Sequence, residues 1–375
     1  MKKLTALLLL AVMIFTACVP LAAAETVIEP DMKLNVSKPS FTANNPVIDG
    51  EDPVTGLPIT GDGTYTPILQ VLDGAEIAYP HWGVESASAI FQVPNQGTGN
   101  NKLLALYTTE FPEKSGGTRS ARMAFLPIAN MFGAIFVAAG APPIDAGDKL
   151  PVNVEYWRRQ WGMTTTSGRW YDMNGNNDLK ERSKEVASPH NLLVYISKIH
   201  EKALAGNLEF EQRPFLFTDE PLTRGENATV INARFYENND KKTSNKASNC
   251  AFYYQEGINC YFRQSLMGKA EKNNIDFNYD RATENMLTFS NVIVLRIPFK
   301  SQNAYGTWYS YAEGTYTGSG QADIFQCGKY IKGAWYRDEL MGRLILIDDE
   351  GNELKLQRGK TFFIVNDSRC VVSYE

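Results

Sequence analysis

Beyond its first residues the sequence lacks any apolar run long enough to cross a bilayer, so membrane attachment has to come from the amino terminus. It lacks an excess of positive charge. Against 37 Lys and Arg stand 42 Asp and Glu, a formal net charge of -5, which excludes nucleic acid as an expected partner and requires any basic patch to be local. It has no Gly-x-Ser-x-Gly elbow, no His-Glu-x-x-His zinc motif and no carboxylate pair in a diagnostic setting, so the common hydrolase signatures leave catalysis open. There is no internal repeat and no long low-complexity tract, which excludes solenoid architectures. Cysteine is sparse, and its spacing is not that of a zinc site.

What is present is a globular composition: 375 residues, 43% hydrophobic and 21% charged, enough for two domains with real cores. The first 24 residues read as an export signal, with Lys2 and Lys3 ahead of an apolar stretch over residues 4–15. Two processing sites compete. Phe15-Thr16-Ala17-Cys18 fits a lipobox that would place a diacylglycerol on Cys18, and Ala22-Ala23-Ala24 fits ordinary signal peptidase. The lipobox is the reading we take, since a Cys directly after a small residue is unusual there. It makes the chain an exported, extracytoplasmic protein touching the membrane only through its lipid. The remaining Cys250, Cys260, Cys327 and Cys370 are an even set, so disulfides are permitted. Cys250 with Cys260 and Cys327 with Cys370 are candidate pairs, beside the alternative of buried free thiols.

Residues 25–65, rich in Pro, Thr, Asn, Asp and Gly, read as a linker, extended or loosely docked. Residues 66–215 read as an α/β domain with a mixed or parallel sheet, and residues 216–375 as a β-rich (α+β) domain of alternating strands and hairpin turns. The stretch that draws the eye is Gly116-Gly117-Thr118-Arg119-Ser120-Ala121-Arg122. It lies between apolar strands over 103–107 and 134–139, and helical spacing over 119–132 completes a βαβ unit with its two strands parallel. Thr118 would cap the helix, Arg119 and Arg122 would share a face beside its free N–H groups, and Ser120 would lie between them: an anion site at a sheet edge. Pro127 should kink or shorten that helix.

Ser188-Pro189-His190-Asn191 predicts a second helix start, with Ser188 as cap, Pro189 in the first turn, and His190 and Asn191 beside unpaired N–H groups. Asp172, Asn174, Asn176 and Asp178 open like a calcium loop, but Asn177 stands where a Gly is needed and Ser183 where the closing Glu is needed, so an Asn/Gly turn is the default and no cofactor is expected. The Arg- and Trp-rich stretch over 156–171 can stack on sugars, or pack as a lid.

The order of motifs resembles the YerB-like family of bacterial lipoproteins. The resemblance is carried by Asp52-Pro53-Val54-Thr55-Gly56-Leu57-Pro58, Gly117-Thr118-Arg119-Ser120-Ala121-Arg122, Ser188-Pro189-His190-Asn191-Leu192, Asn291-Val292-Ile293-Val294 and the segment ending Lys332-Gly333-Ala334-Trp335, and runs from about residue 50 to the carboxyl terminus. It implies an envelope lipoprotein with N- and C-terminal domains of unknown function, and no accepted reaction. The chain departs from the family pattern at Asn101-Lys102, where an Arg is usual, at Gln92, where an acid is common, and at Pro80-His81-Trp82-Gly83.

Three functions fit these residues. One is binding of an anionic small molecule or envelope glycan through Arg119, Arg122 and His190. A second is an interaction scaffold docking a membrane or wall protein. A third is an enzyme on a phosphate-bearing envelope glycan, with His190 moving a proton. The first requires guanidinium groups that face a cleft rather than an internal acid.

Overall fold

The computed structural model describes residues 25–95, 101–142, 151–235, 248–265, 278–304 and 306–375, so the export segment and Cys18 lie outside the described residues. The chain is mostly sheet. Its centre is an 11-stranded mixed sheet, running in order Glu226–Asn227, Lys329–Arg337, Gly318–Gln326, Asn291–Arg296, Thr361–Asn366, Ala89–Pro94, Asn101–Tyr107, Ile68–Asp73, Ile135–Ala138 and Trp170–Asp172, with Ile345–Ile347 beside Lys329–Arg337. The sheet takes strands from both sides of residue 216, and the parallel pairing of Thr361–Asn366 with Ala89–Pro94 is the seam.

Five of the central strands are buried at every position, because both faces of the sheet are covered. Burial on two sides is what produces unbroken apolar runs rather than alternation. Leu69, Val71, Phe91, Leu104, Leu106, Phe136, Ile293 and Phe363 point to one core, under the helix Leu126–Phe132; the Phe91 and Phe363 rings stack at 4.5 Å. Ile68, Leu72, Ile90, Leu103, Val137, Val292 and Phe362 point to the other, under the helix Ile196–Ala205 and a six-stranded sheet that holds Val230–Phe235, Cys250–Gln255, Cys260–Ser265 and Cys370–Tyr374. Val230–Phe235, covered on one side only, does alternate. Residues of the 25–65 segment are docked: Thr26–Ile28 pairs with Cys370–Tyr374, and Leu34, Val36 and Phe41 pack on Ala334 and Ile345.

Four local expectations are corrected. The strand Ile68–Asp73 lies between Asn101–Tyr107 and Ile135–Ala138, antiparallel to the first and parallel to the second, so the two strands expected to be parallel run opposite ways. The helix between them spans only Leu126–Phe132. Pro127 fits its first turn, where no N–H is needed, and the residues before it bond outward to other strands rather than to a helix. The second helix begins at Ile196, not at Ser188, because Leu192–Val194 is taken up as a strand against Ser115–Gly116 and Lys180–Arg182. The candidate disulfides are absent. Cys250 faces Ser265 and Cys260 faces Gln255, at opposite ends of one hairpin, and all four described cysteines are free thiols.

One buried ion pair lies within the 11-stranded sheet, and its arginine also reaches the six-stranded sheet. Arg296 and Asp323 are both fully inaccessible at 2.9 Å, and Arg296 also donates to the Cys370 carbonyl at 2.7 Å. Removing one partner leaves an uncompensated charge in the core, a loss of about 3–5 kcal/mol. Asp323→Ala should therefore lower unfolding free energy by about that amount in urea titrations; a change below about 1 kcal/mol would contradict this account of the ion pair.

Candidate functional site

The strand Ile68–Asp73 ends on a carboxylate that is 1% exposed. Antiparallel register sets Lys102 directly opposite Asp73, and its Nζ reaches Oδ1 at 2.6 Å. Residues 116–121 then cross this strand end. Arg119 N–H donates to the Val71 carbonyl, Asp73 N–H to the Gly117 carbonyl, and Thr118 N–H to the Leu192 carbonyl. This crossing carries the Arg119 side chain to Asp73, with Nε 3.2 Å from Oδ2. It also lies so close to the second motif that a Cβ on Gly117 would run into the His190 carbonyl and one on Gly116 into the Leu192 carbonyl; only glycine permits that approach. His190 is thereby placed with Nδ1 2.6 Å from the same Asp73 Oδ2. His81 Nε2–H donates to the Asp73 backbone carbonyl at 2.7 Å, and burial pulls its pKa down to about 4, so that ring is neutral.

Asp73 is thus a carboxylate with three basic neighbours. Burial alone would raise its pKa, but Lys102, Arg119 and His190 outweigh it and hold the carboxyl down to about 2. Burial lowers the Lys102 ammonium despite Asp73, so the pair's net worth is smaller than the shift of the acid alone suggests. One carboxylate against Lys102 and Arg119 leaves one positive charge over before His190 is counted.

That surplus borders a cleft of about 310 Å³. Thr118, Arg119 and Ser120 form one wall, Pro189 and Leu192 a second, and Asn174, Asn177, Lys180, Glu181 and Arg182 a third. Ser120 Oγ donates to the Ala139 carbonyl, and Asp172 Oδ1 accepts the Gly140 N–H, which fixes the back of the cleft. Lys180 donates to the Met173 carbonyl, and Arg182 to Asn191 Oδ1 at 2.8 Å; among the described residues neither is paired with an acid. Glu181, the acidic residue of the lining, accepts from Tyr195 at 2.6 Å and pairs with Lys114 at 3.1 Å, and these two hold its pKa below the usual carboxylate range.

The expected site residues therefore divide. Thr118, Arg119 and Ser120 line the cleft; His190 follows the lining residue Pro189 in sequence and shares Asp73 with Arg119, and Asn191 is buried and positions Arg182. Arg122 does not line the cleft with Arg119, because the segment is not helical, although the two guanidiniums still repel each other. The Arg122 guanidinium lies over the Tyr309 ring at 5.3 Å and donates to the Ala121 carbonyl. The expectation that the guanidiniums face no internal acid is corrected for Arg119, whose counter-ion is Asp73. The calcium-loop side chains have other engagements: Asp172 caps its own turn, Asn176 donates back to the Asp172 carbonyl, and Asp178 pairs with Lys202. Among the described residues no cluster of three His, Cys, Asp or Glu could hold a metal. Arg158 sits over the Trp170 ring at 4.6 Å while paired with Glu155, which makes the aromatic stretch a packed lid.

Comparison with known proteins gives the family and the fold. The N-terminal domain of the protein of unknown function DUF3048 matches residues 54–209, and its C-terminal domain matches residues 241–363. The chain belongs to the DUF3048 family. A curated member, "Putative lipoprotein YerB" of Bacillus subtilis (strain 168), is 25% identical over 317 residues, covering 83% of this chain and 84% of its own length. The crystal structure of YerB from Bacillus subtilis superposes with a TM-score of 0.67 at 20% identity, covering 86% of this chain and 99% of the other, which shows a shared fold. In this DUF3048 chain Lys102 and His81 both fall on Asp73, one on its carboxylate and one on its carbonyl.

Sequence reasoning missed Asp73, Lys180 and Arg182. Asp73 had a signal: an acid closing an apolar strand run and followed by Gly74. Because its folded pKa is depressed, its contribution to stability is complete above its ordinary value of 3.8 and is lost as pH falls from there through about 2. Asp73→Asn should thus flatten the acid limb of stability against pH between about 4 and 2; an unchanged limb would mean the ion cluster does not form.

Proposed function

We propose that this chain is a lipid-anchored, extracytoplasmic protein that binds an anionic ligand, a phosphate- or carboxylate-bearing small molecule or envelope glycan, in the cleft beside Asp73. The observation that carries the reading is the lining: Lys180 and Arg182, which form no ion pair among the described residues, share the cleft with Arg119, whose counter-ion Asp73 is also held by Lys102, and with Glu181, already engaged by Lys114 and Tyr195. Guanidinium groups suit planar oxyanions, and a charge-assisted contact contributes about 1.5–3 kcal/mol. Thr118 and Ser120 add hydroxyl groups, and Asn174 and Asn177 amide groups, of the kind that hydrogen-bond sugar hydroxyls.

The anchor is supported by the lipobox ending at Cys18, by the name of the Bacillus relative, and by the lack, among the described residues, of a helix long and apolar enough to cross a membrane. Two experiments test the reading. In cells, Cys18→Ser should move the protein from the membrane fraction to the soluble exported fraction; retention in the membrane would refute the anchor. In solution, phosphate, sulfate or a phosphorylated wall-glycan fragment should raise Tm, and Arg182→Ala should weaken that binding by about 10-fold or more. No stabilisation by any of the three, or full stabilisation of the variant, would refute the cleft as an anion site.

A further inference from the structure

All three histidines of the chain lie among the described residues, and two are closed to chemistry. His81 is 3% exposed and gives Nε2–H to a carbonyl. His200 is stacked on Phe111 at 3.9 Å and bonded at both ring nitrogens, to Thr66 at 3.0 Å and Asp62 at 2.8 Å. His190 differs. Its Nδ1 is held by Asp73, its side chain is 23% exposed, and among the described residues no group is bonded to its Nε2. An ionised carboxylate only accepts, so the proton of the neutral ring sits on Nδ1 and the lone pair on Nε2. The flanking Pro189 lines the cleft, and Arg119, sharing Oδ2 of Asp73 with His190, lines it too. A tautomer-fixed imidazole that shares its carboxylate with an arginine of a cationic cleft is the equipment of general-base hydrolysis at a phosphoryl group.

We infer that the chain hydrolyses a phosphodiester held in this cleft, with His190 as the catalytic base; the inference rests on the anion-binding reading. Nε2 takes a proton from water as the water oxygen bonds to phosphorus. The bond from phosphorus to the leaving oxygen breaks, and the imidazolium returns its proton to that oxygen. Arg119, Lys180 and Arg182 face the charge that develops on the non-bridging oxygens. Asp73 is a positioning residue: it acts through the ring it orients.

The test uses the soluble chain at concentrations comparable with substrate, with bis(p-nitrophenyl) phosphate as the probe and inorganic phosphate binding measured on the same samples. Wild type should release p-nitrophenol, and His190→Gln should cut the rate by about 100-fold or more while phosphate affinity stays within about twofold. ¹⁵N NMR should find His190 in the Nδ1–H form in wild type and a mixture of tautomers in Asp73→Asn. Phosphate binding without release of p-nitrophenol, or release that survives His190→Gln, overturns the hydrolysis and leaves the binding site standing. Loss of phosphate binding by wild type overturns both.

Discussion

Everything at the sheet edge depends on one buried carboxylate. Asp73 is nearly inaccessible, and a charge in that position persists only if it is paired. It gathers Lys102 from the neighbouring strand, Arg119 from the crossing segment and His190 from the Ser-Pro-His-Asn turn. With Asp73 itself, the cluster draws on four separate places in the sequence. The backbone contacts made possible by Gly116 and Gly117 bring the last two within reach. Without the acid, Lys102 and Arg119 would be neighbouring uncompensated cations at a closed strand end, an arrangement that costs several kcal/mol.

The same interaction gives the cleft its character. A carboxylate matched by a single cation would make a neutral clamp and leave nothing for a ligand. Here the acid is outnumbered, and Arg119 keeps 30% of its side chain exposed. Lys180 and Arg182 stand across from it on a strand that pairs with Leu192–Val194, so the wall opposite the cluster is tied to the same turn as His190. Ligand recognition and the orientation of the imidazole are therefore parts of one framework. This framework stands at the edge of a sheet buried on both faces, the rigid support that close positioning of charged groups requires.

Much of the strand content was legible from the sequence. The runs over residues 292–295, 362–365 and 135–138 are apolar at every position because both faces of the sheet are covered. The helices were harder. Helical spacing over 119–132 was genuine only from Leu126, since the preceding residues satisfy their backbone groups on Val71, Ala139 and Gly140. Ser188-Pro189 has the composition of a helix cap, yet pairing of Leu192–Val194 with two other strands outweighed that local preference. Of the site, the two motifs were visible because Arg, His and Gly are distinctive there. Their shared partner was not, because the pairing of Asp73 with Lys102 is a matter of register between strands, and no local pattern records it. Lys180 and Arg182 were missed for the same reason: they read as surface charges until the strand carrying them is set against Leu192–Val194.

The most direct measurement is a crystal structure of the chain soaked with tungstate, an oxyanion visible by its anomalous scattering. The account predicts an anomalous peak in the cleft within hydrogen-bonding reach of Arg119 and Arg182, with Arg119 and His190 still held on Asp73. An empty cleft with tungstate bound elsewhere, or Arg119 and His190 detached from Asp73, would contradict it.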